Sequence, residues 1–160
     1  MRHVLGLLAA FLVLAPAQAQ SSPARIGIGL DALVIPVRAG DVDPGLGLGI
    51  RGRAALPINT DLSAAAGLGI SASLAGSAAL SLTPQASLIV TLPKGGNYVL
   101  GGFGAFLPLS GGGGGPTFHG GFGTTIPLSE TSIYFEINPG IVVGSDRITV
   151  VVPGRVGAIF

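Results

Sequence analysis

The strongest constraint in this sequence is the alternation of its last fourteen residues, 147–160. Counting back in steps of two from Phe160 gives an uncharged apolar set, whereas the intervening positions hold both arginines of the segment, Arg147 and Arg155. Such period-two alternation indicates a β-strand. Soluble domains use strands of about five or six residues, but a tilted strand that crosses a bilayer needs roughly nine to eleven plus its ends. The segment therefore predicts a strand with one face suited to hydrocarbon.

The composition favours the same interpretation for the rest of the chain. Only 9% of the residues are charged and 48% are hydrophobic, whereas soluble domains carry about a quarter charged residues. Beyond residue 19 no apolar run approaches the roughly eighteen residues of a transmembrane helix. Local alternation, interrupted by many of the 28 glycines, is typical of a transmembrane barrel.

Alternation and turn signals divide the chain into eight predicted strands. They cover residues 24–37, 45–56, 62–74, 78–92, 98–107, 117–126, a seventh around 133–138, and 147–160. Turns that begin at Pro57, Pro93 and Pro127 follow strands two, four and six, which places them at one end of the barrel. Pro84 cannot donate to a ladder and predicts a bulge or a strand end. A hairpin at Asn138-Pro139-Gly140 or near Pro84 would instead give ten strands.

The first residues predict export. Arg2 and His3 precede an apolar run, and Ala17-Gln18-Ala19 has the small-x-small form of a cleavage site, so residues 1–19 are expected to be a cleaved signal peptide and residues 20–160 the barrel domain. Loss of Arg2 leaves seven basic and seven acidic side chains. A nucleic-acid partner is not expected without a clustered basic surface. The chain has no cysteine, which excludes disulfides and thiolate metal sites.

Phe160 and the alternation before it resemble the closing strand of small bacterial outer-membrane β-barrels of the OmpA/OmpX type. That family often has a second aromatic where this chain has Ala158, and a glycine where it has Arg155. The resemblance implies a single antiparallel up-and-down barrel, a monomer in the outer membrane of a Gram-negative cell. It also implies that lipid is one partner and that the barrel-assembly machinery, which reads Phe160 as a C-terminal signal, is another.

With the apolar parity turned outward, six charged residues are predicted to line the lumen. They are Arg25, Asp31, Arg51, Arg53, Glu136 and Arg155. So narrow an interior is filled by side chains, and buried charges must be paired, so we expect a structural ion-pair network. A gate in a narrow, porin-like pore is the alternative, biased toward anions by the excess of arginine. Tyr98 and Tyr134 follow two of the proline turns and are predicted to form an interface girdle.

No catalytic, cofactor-binding or metal-binding residue is predicted. The glycines of residues 47–52 match a dinucleotide motif, but no helix can follow before Pro57. Some small outer-membrane barrels are lipid-modifying enzymes with a His and a Ser at the rim, which makes His119, with Ser110 or Ser129, the one candidate for catalysis. A lumen hydrogen bond is the competing role for this histidine.

Three functions remain open from the sequence. The first is an integral outer-membrane protein, structural or surface-exposed, with a narrow pore as its variant. The second is a secreted soluble β-barrel that binds an apolar ligand, which requires the apolar face to point inward. The third is a lipid-modifying barrel enzyme that depends on His119.

Overall fold

The computed structural model describes residues 23–38, 45–74, 79–93, 95–110, 113–145 and 148–160. For residues 35–38 it describes the backbone but not the side chains. The predicted signal peptide, residues 1–19, lies outside the described residues. The described residues form nine strand segments: β1 (Arg25–Arg38), β2 (Gly45–Pro57), β3 (Leu62–Ser73), β4 (Leu80–Thr91), β5 (Asn97–Pro108), β6 (Gly115–Pro127), β7 (Ser132–Ile137), β8 (Gly140–Val143) and β9 (Ile148–Ile159).

These nine segments occupy eight positions in a closed antiparallel barrel. Each strand from β1 to β6 pairs with the next, β6 pairs with both β7 and β8, both of these pair with β9, and β9 pairs back with β1. β7 and β8 are therefore two parts of one position. The predicted all-β, eight-stranded, up-and-down barrel is confirmed.

The interruption between β7 and β8 does not turn the chain. Asn138 N donates to the Pro153 carbonyl and Gly120 N donates to the Pro139 carbonyl, each at 3.0 Å, which continues the ladders on both sides. The register is the same before and after the break. The ten-stranded alternative is therefore wrong, because residues 138–140 run along the barrel.

The predicted bulge or strand end at Pro84 is also wrong. β4 continues through this residue, and Pro84 lies opposite Leu68 in an unbroken register with β3. On the β5 side the pairing stops after Leu82 and resumes at Gln85 in the same register. The missing N–H thus weakens the ladder locally without inserting a residue. A register shift occurs instead where β1 faces β9, between Val34 and Val37.

The three proline-initiated turns lie at one end of the barrel, as predicted. In the first, the side-chain oxygen of Asn59 accepts hydrogen bonds from the backbone N–H groups of Asp61 and Leu62. The second uses the positive φ of Gly95 and Gly96, a conformation that glycine adopts without a steric penalty. Two backbone hydrogen bonds join Ile26 and Phe160, so the pairing between β1 and β9 extends to this same end of the barrel.

The two faces of the strands differ as the alternation predicts. Large apolar side chains point outward along the wall, for example Leu30 and Ile50 at mid-strand, which are 61% and 59% exposed. The charged residues Asp31, Arg51, Glu136 and Arg155 point inward and are buried. This is the opposite of the arrangement that a soluble carrier of apolar ligands requires. The described residues contain no helix long and apolar enough to cross a membrane.

Candidate functional site: the buried charge cluster

Five charged side chains meet inside the barrel at mid-height. They come from four strands and comprise Asp31 of β1, Arg51 and Arg53 of β2, Glu136 of β7 and Arg155 of β9. The register explains the meeting, because Arg155 lies opposite Asp31 on one side and opposite Glu136 on the other. We call these five side chains the charge cluster.

Asp31 connects two arginines of the charge cluster. Its Oδ2 atom is 2.8 Å from Nε of Arg51, and its Oδ1 atom is 3.4 Å from Nε of Arg155. All three residues are 6% exposed. A carboxylate buried this deeply needs such partners, because the penalty for removing an unpaired charge from water is several kcal/mol.

Glu136 is the second connecting carboxylate, and its side chain has no exposed surface. Its Oε1 atom is 2.6 Å from Nη1 of Arg155, and its Oε2 atom is 2.8 Å from Nη1 of Arg53. The hydroxyl of Tyr98 donates a further hydrogen bond to Oε2 at 3.0 Å. The guanidinium of Arg53 also lies 5.0 Å from the centre of the Tyr134 ring, a distance at which cation–π attraction acts.

Neutral side chains of β4 complete the charge cluster. The Gln85 side-chain oxygen accepts hydrogen bonds from Arg51 at 3.0 Å and from Arg155 at 3.2 Å. The Thr83 hydroxyl accepts another from Arg51 at 2.8 Å. The sequence prediction missed both residues because it expected the strand to break at Pro84. Continued alternation through that proline would have placed them on the inward face.

Glycines make room for these long side chains. Around the barrel, three rows of directly opposed residues combine long side chains with glycines. The rows read Tyr98, Gly123, Glu136, Arg155, Asp31, Gly49; then Tyr134, Gly157, Gly29, Arg51, Gly69, Thr83; and Gly27, Arg53, Gly67, Gln85, Gly104, Thr117.

Steric contacts show why the rows need glycine. A Cβ atom at Gly123 would overlap the Tyr98 ring, and one at Gly69 would lie 2.6 Å from Nη2 of Arg51. Tyr98 and Arg51 therefore reach their hydrogen-bond partners, Glu136 and Thr83, across the bare backbone of the strand between them. Without these glycines the charge cluster would not fit inside eight strands.

Three of the predicted positions are corrected by the structure. Arg25 is exposed, and none of the four ion pairs of the described residues includes it. As the first residue of β1 it lies at the rim, where water is available. Tyr98 and Tyr134 do not form an outward girdle, because they lie over lumen glycines and are only 4% and 1% exposed.

His119 lies inside the barrel and not at its rim. Its Nε2 atom is 2.9 Å from the Ser87 hydroxyl, which it reaches across Gly102, the residue opposite both. Neither Ser110 nor Ser129 is this partner. Within the described residues no group of three His, Asp or Glu side chains is arranged to hold a metal. The surroundings of His119 are those of a hydrogen-bonded lumen residue.

A cavity of about 50 Å³ borders the charge cluster. Its polar wall includes Asp31, Arg51, Arg155, Asn138 and Thr117. The apolar residues Leu33, Phe106, Val142 and Val151 line it as well.

The comparisons with known proteins show similarity at the level of structure. No family model and no curated protein matches this sequence. Neisserial surface protein A (NspA) superimposes with a TM-score of 0.64 at 14% identity, over 86% of this chain and 95% of NspA. The chain has the fold of the small outer-membrane β-barrels of the OmpA/OmpX type.

A second member of this small-barrel fold supports the assignment. The attachment invasion locus protein (Ail) of Yersinia pestis superimposes with a TM-score of 0.60 at 13% identity, over 86% of this chain and 97% of Ail. The likeness thus extends over nearly the whole of each solved barrel. At such low identity it concerns the small-barrel fold and not the residues of the charge cluster.

Proposed function

We propose that this protein is an integral outer-membrane barrel whose lumen is closed by the charge cluster, and that it acts as a structural or surface-exposed component. The observation that carries the proposal is the set of four ion pairs that spans the interior between β1, β2, β7 and β9. The most exposed side chain in these pairs, Arg53, is 13% accessible.

The exterior supports residence in a membrane. Apolar side chains cover the outside of every strand position, and water would be a poor solvent for so continuous a surface. In a bilayer the same surface contacts acyl chains, and the closed ladder leaves no edge unpaired. Lipid is therefore the proposed partner of this face. Insertion by the assembly machinery through β9 and Phe160 belongs to the same proposal.

The closed lumen is tested by conductance. Refolded protein is added to a planar bilayer, and flotation with liposomes together with a heat-dependent gel shift establishes that it has inserted as a closed barrel. We expect no discrete conductance steps. A stable open level in the inserted wild-type protein would contradict the closed lumen and favour the narrow pore.

A matched variant shows that the assay can report an opening. The double substitution Arg51→Ser and Arg155→Ser removes two guanidinium groups that cross the lumen. We expect conductance steps from this variant once its insertion has been checked in the same way. The substitutions Ile58→Ser and Leu128→Ser, in the exposed turns, should leave the trace flat.

A further inference from the structure

The cavity beside the charge cluster is lined by groups that lack partners. Among the described residues, every buried side-chain polar atom without a hydrogen bond belongs to a residue of this wall. They are Oγ1 of Thr117, Nδ1 of His119 and both amide atoms of Asn138, together with Oδ1 of Asp31 and Nε of Arg155, which form an ion pair at 3.4 Å but no hydrogen bond. Asn138 is only 1% exposed. Buried polar groups are almost always hydrogen-bonded, so this wall is suited to a polar occupant.

The charge balance indicates the sign of that occupant. The charge cluster contains three guanidinium groups and two carboxylates, which leaves one positive charge in excess. The cavity borders two of these guanidinium groups, on Arg51 and Arg155, but only one of the carboxylates, on Asp31. An unbalanced charge in a narrow barrel surrounded by lipid is costly. A bound anion would neutralise it.

The cavity has room for a small anion. A cavity needs about 10–15 Å³ to hold one water molecule, so a cavity of about 50 Å³ accommodates a monatomic anion together with water. The Asn138 amide and the Thr117 hydroxyl can each donate a hydrogen bond to it. We infer that this cavity is a binding site for one halide ion, with chloride as the physiological class.

The inference concerns the folded barrel and not its conductance, so it can fail while the proposed function stands. The test compares the thermal unfolding of refolded protein in sodium chloride and in sodium gluconate at equal ionic strength. A ligand that binds only the folded state raises the midpoint with the logarithm of its concentration above Kd. We expect the unfolding midpoint to rise by roughly 3–6 °C for each tenfold increase in chloride concentration and to show no such rise in gluconate. Coincident curves would overturn the site.

Location is tested with variants and with bromide. The substitution Thr117→Val keeps the shape of a lining residue and removes its hydroxyl, and Asn138→Leu removes both amide atoms. Each should reduce the chloride dependence, whereas Ser63→Ala, at an inward position outside the wall, should preserve it. If Asn138→Leu does not fold, the chloride dependence of Thr117→Val alone tests the location of the site. Crystals grown in bromide should show anomalous scattering inside the cavity, and a cavity that holds only water would overturn the inference.

Discussion

The hydroxyl of Tyr98 donates a 3.0 Å hydrogen bond to Glu136 from two strands away, across the backbone of Gly123. This relationship depends on the absence of a side chain between the two residues. It links a tyrosine near a turn to the centre of the charge cluster. Other directly opposed residues of the interior, such as Arg51 and Gly69, also combine a long side chain with a glycine.

The substitution Gly123→Ala should disturb this pair. A Cβ atom there would overlap the Tyr98 ring, and overpacking of an interior usually costs about 1–3 kcal/mol. The measurement is equilibrium unfolding in guanidinium chloride with the barrel in detergent. Gly120→Ala is the control, because a Cβ there has its nearest neighbour at 3.7 Å. Equal midpoints for the two variants would contradict the steric argument.

The substitution Glu136→Gln should destabilise the barrel strongly. It leaves Arg53 and Arg155 without the carboxylate that pairs with both, and breaking a buried ion pair typically costs about 3–5 kcal/mol. The same unfolding experiment measures the loss. Glu130→Gln, in the exposed turn after β6, provides the control with the same chemical change and should leave the midpoint nearly unchanged.

A charge on the outer face should be penalised according to its depth. Ile50 is at the middle of β2 and 59% exposed, so Ile50→Arg should cost about 2–4 kcal/mol of folding free energy in a bilayer. Leu128→Arg, in a turn, should cost about 0–1 kcal/mol because the guanidinium reaches the interface. Refolding into lipid vesicles gives both values. Similar costs at the two depths would argue against a membrane around this wall.

The substitution His119→Ala should leave the lipids of the outer membrane unchanged. The imidazole is hydrogen-bonded to Ser87 inside the barrel, away from the acyl chains that a lipid-modifying enzyme must reach. Mass spectrometry of lipids from cells that express the wild-type protein or the variant provides the comparison. A modified lipid that disappears with His119 would establish an enzyme instead.

The substitution Phe160→Ala should affect assembly in cells more than folding in vitro. The hydrogen bonds between Phe160 and Ile26 use the backbone, so refolding of the purified variant should proceed. The ring of Phe160 is exposed, so it is accessible for the recognition by the assembly machinery that we propose. Heat-shift gels of membranes and of refolded protein measure the two yields. Ile126→Ala, an exposed apolar residue near the same end, is the control.

The fold could be predicted from the sequence because it rests on a repeated local rule. Alternation fixes which face is apolar, and the proline turns fix where the strands reverse. Position along the barrel axis was harder to predict, and this is why Arg25 was placed in the lumen although it lies at the rim. Parity tells the side of the sheet and does not tell the depth.

The charged residues of the site could be predicted from the sequence, whereas its neutral residues could not. Alternation alone puts Tyr134 on the same face as Glu136, but the enrichment of tyrosine at membrane interfaces favours a girdle. Only the register between strands places Gly157 and Gly29 beneath that tyrosine. Asn138 was missed for a related reason, because its neighbour Pro139 suggested a turn. Long-range register is the information that a single strand does not carry.

The seam between β1 and β9 has a consequence for biogenesis. Until β9 has paired with it, β1 presents a row of unsatisfied amides and carbonyls that any other extended peptide could bind. An incompletely folded chain is thus exposed to aggregation along this edge. A chaperone that covers the edge would need to remain bound until β9 docks.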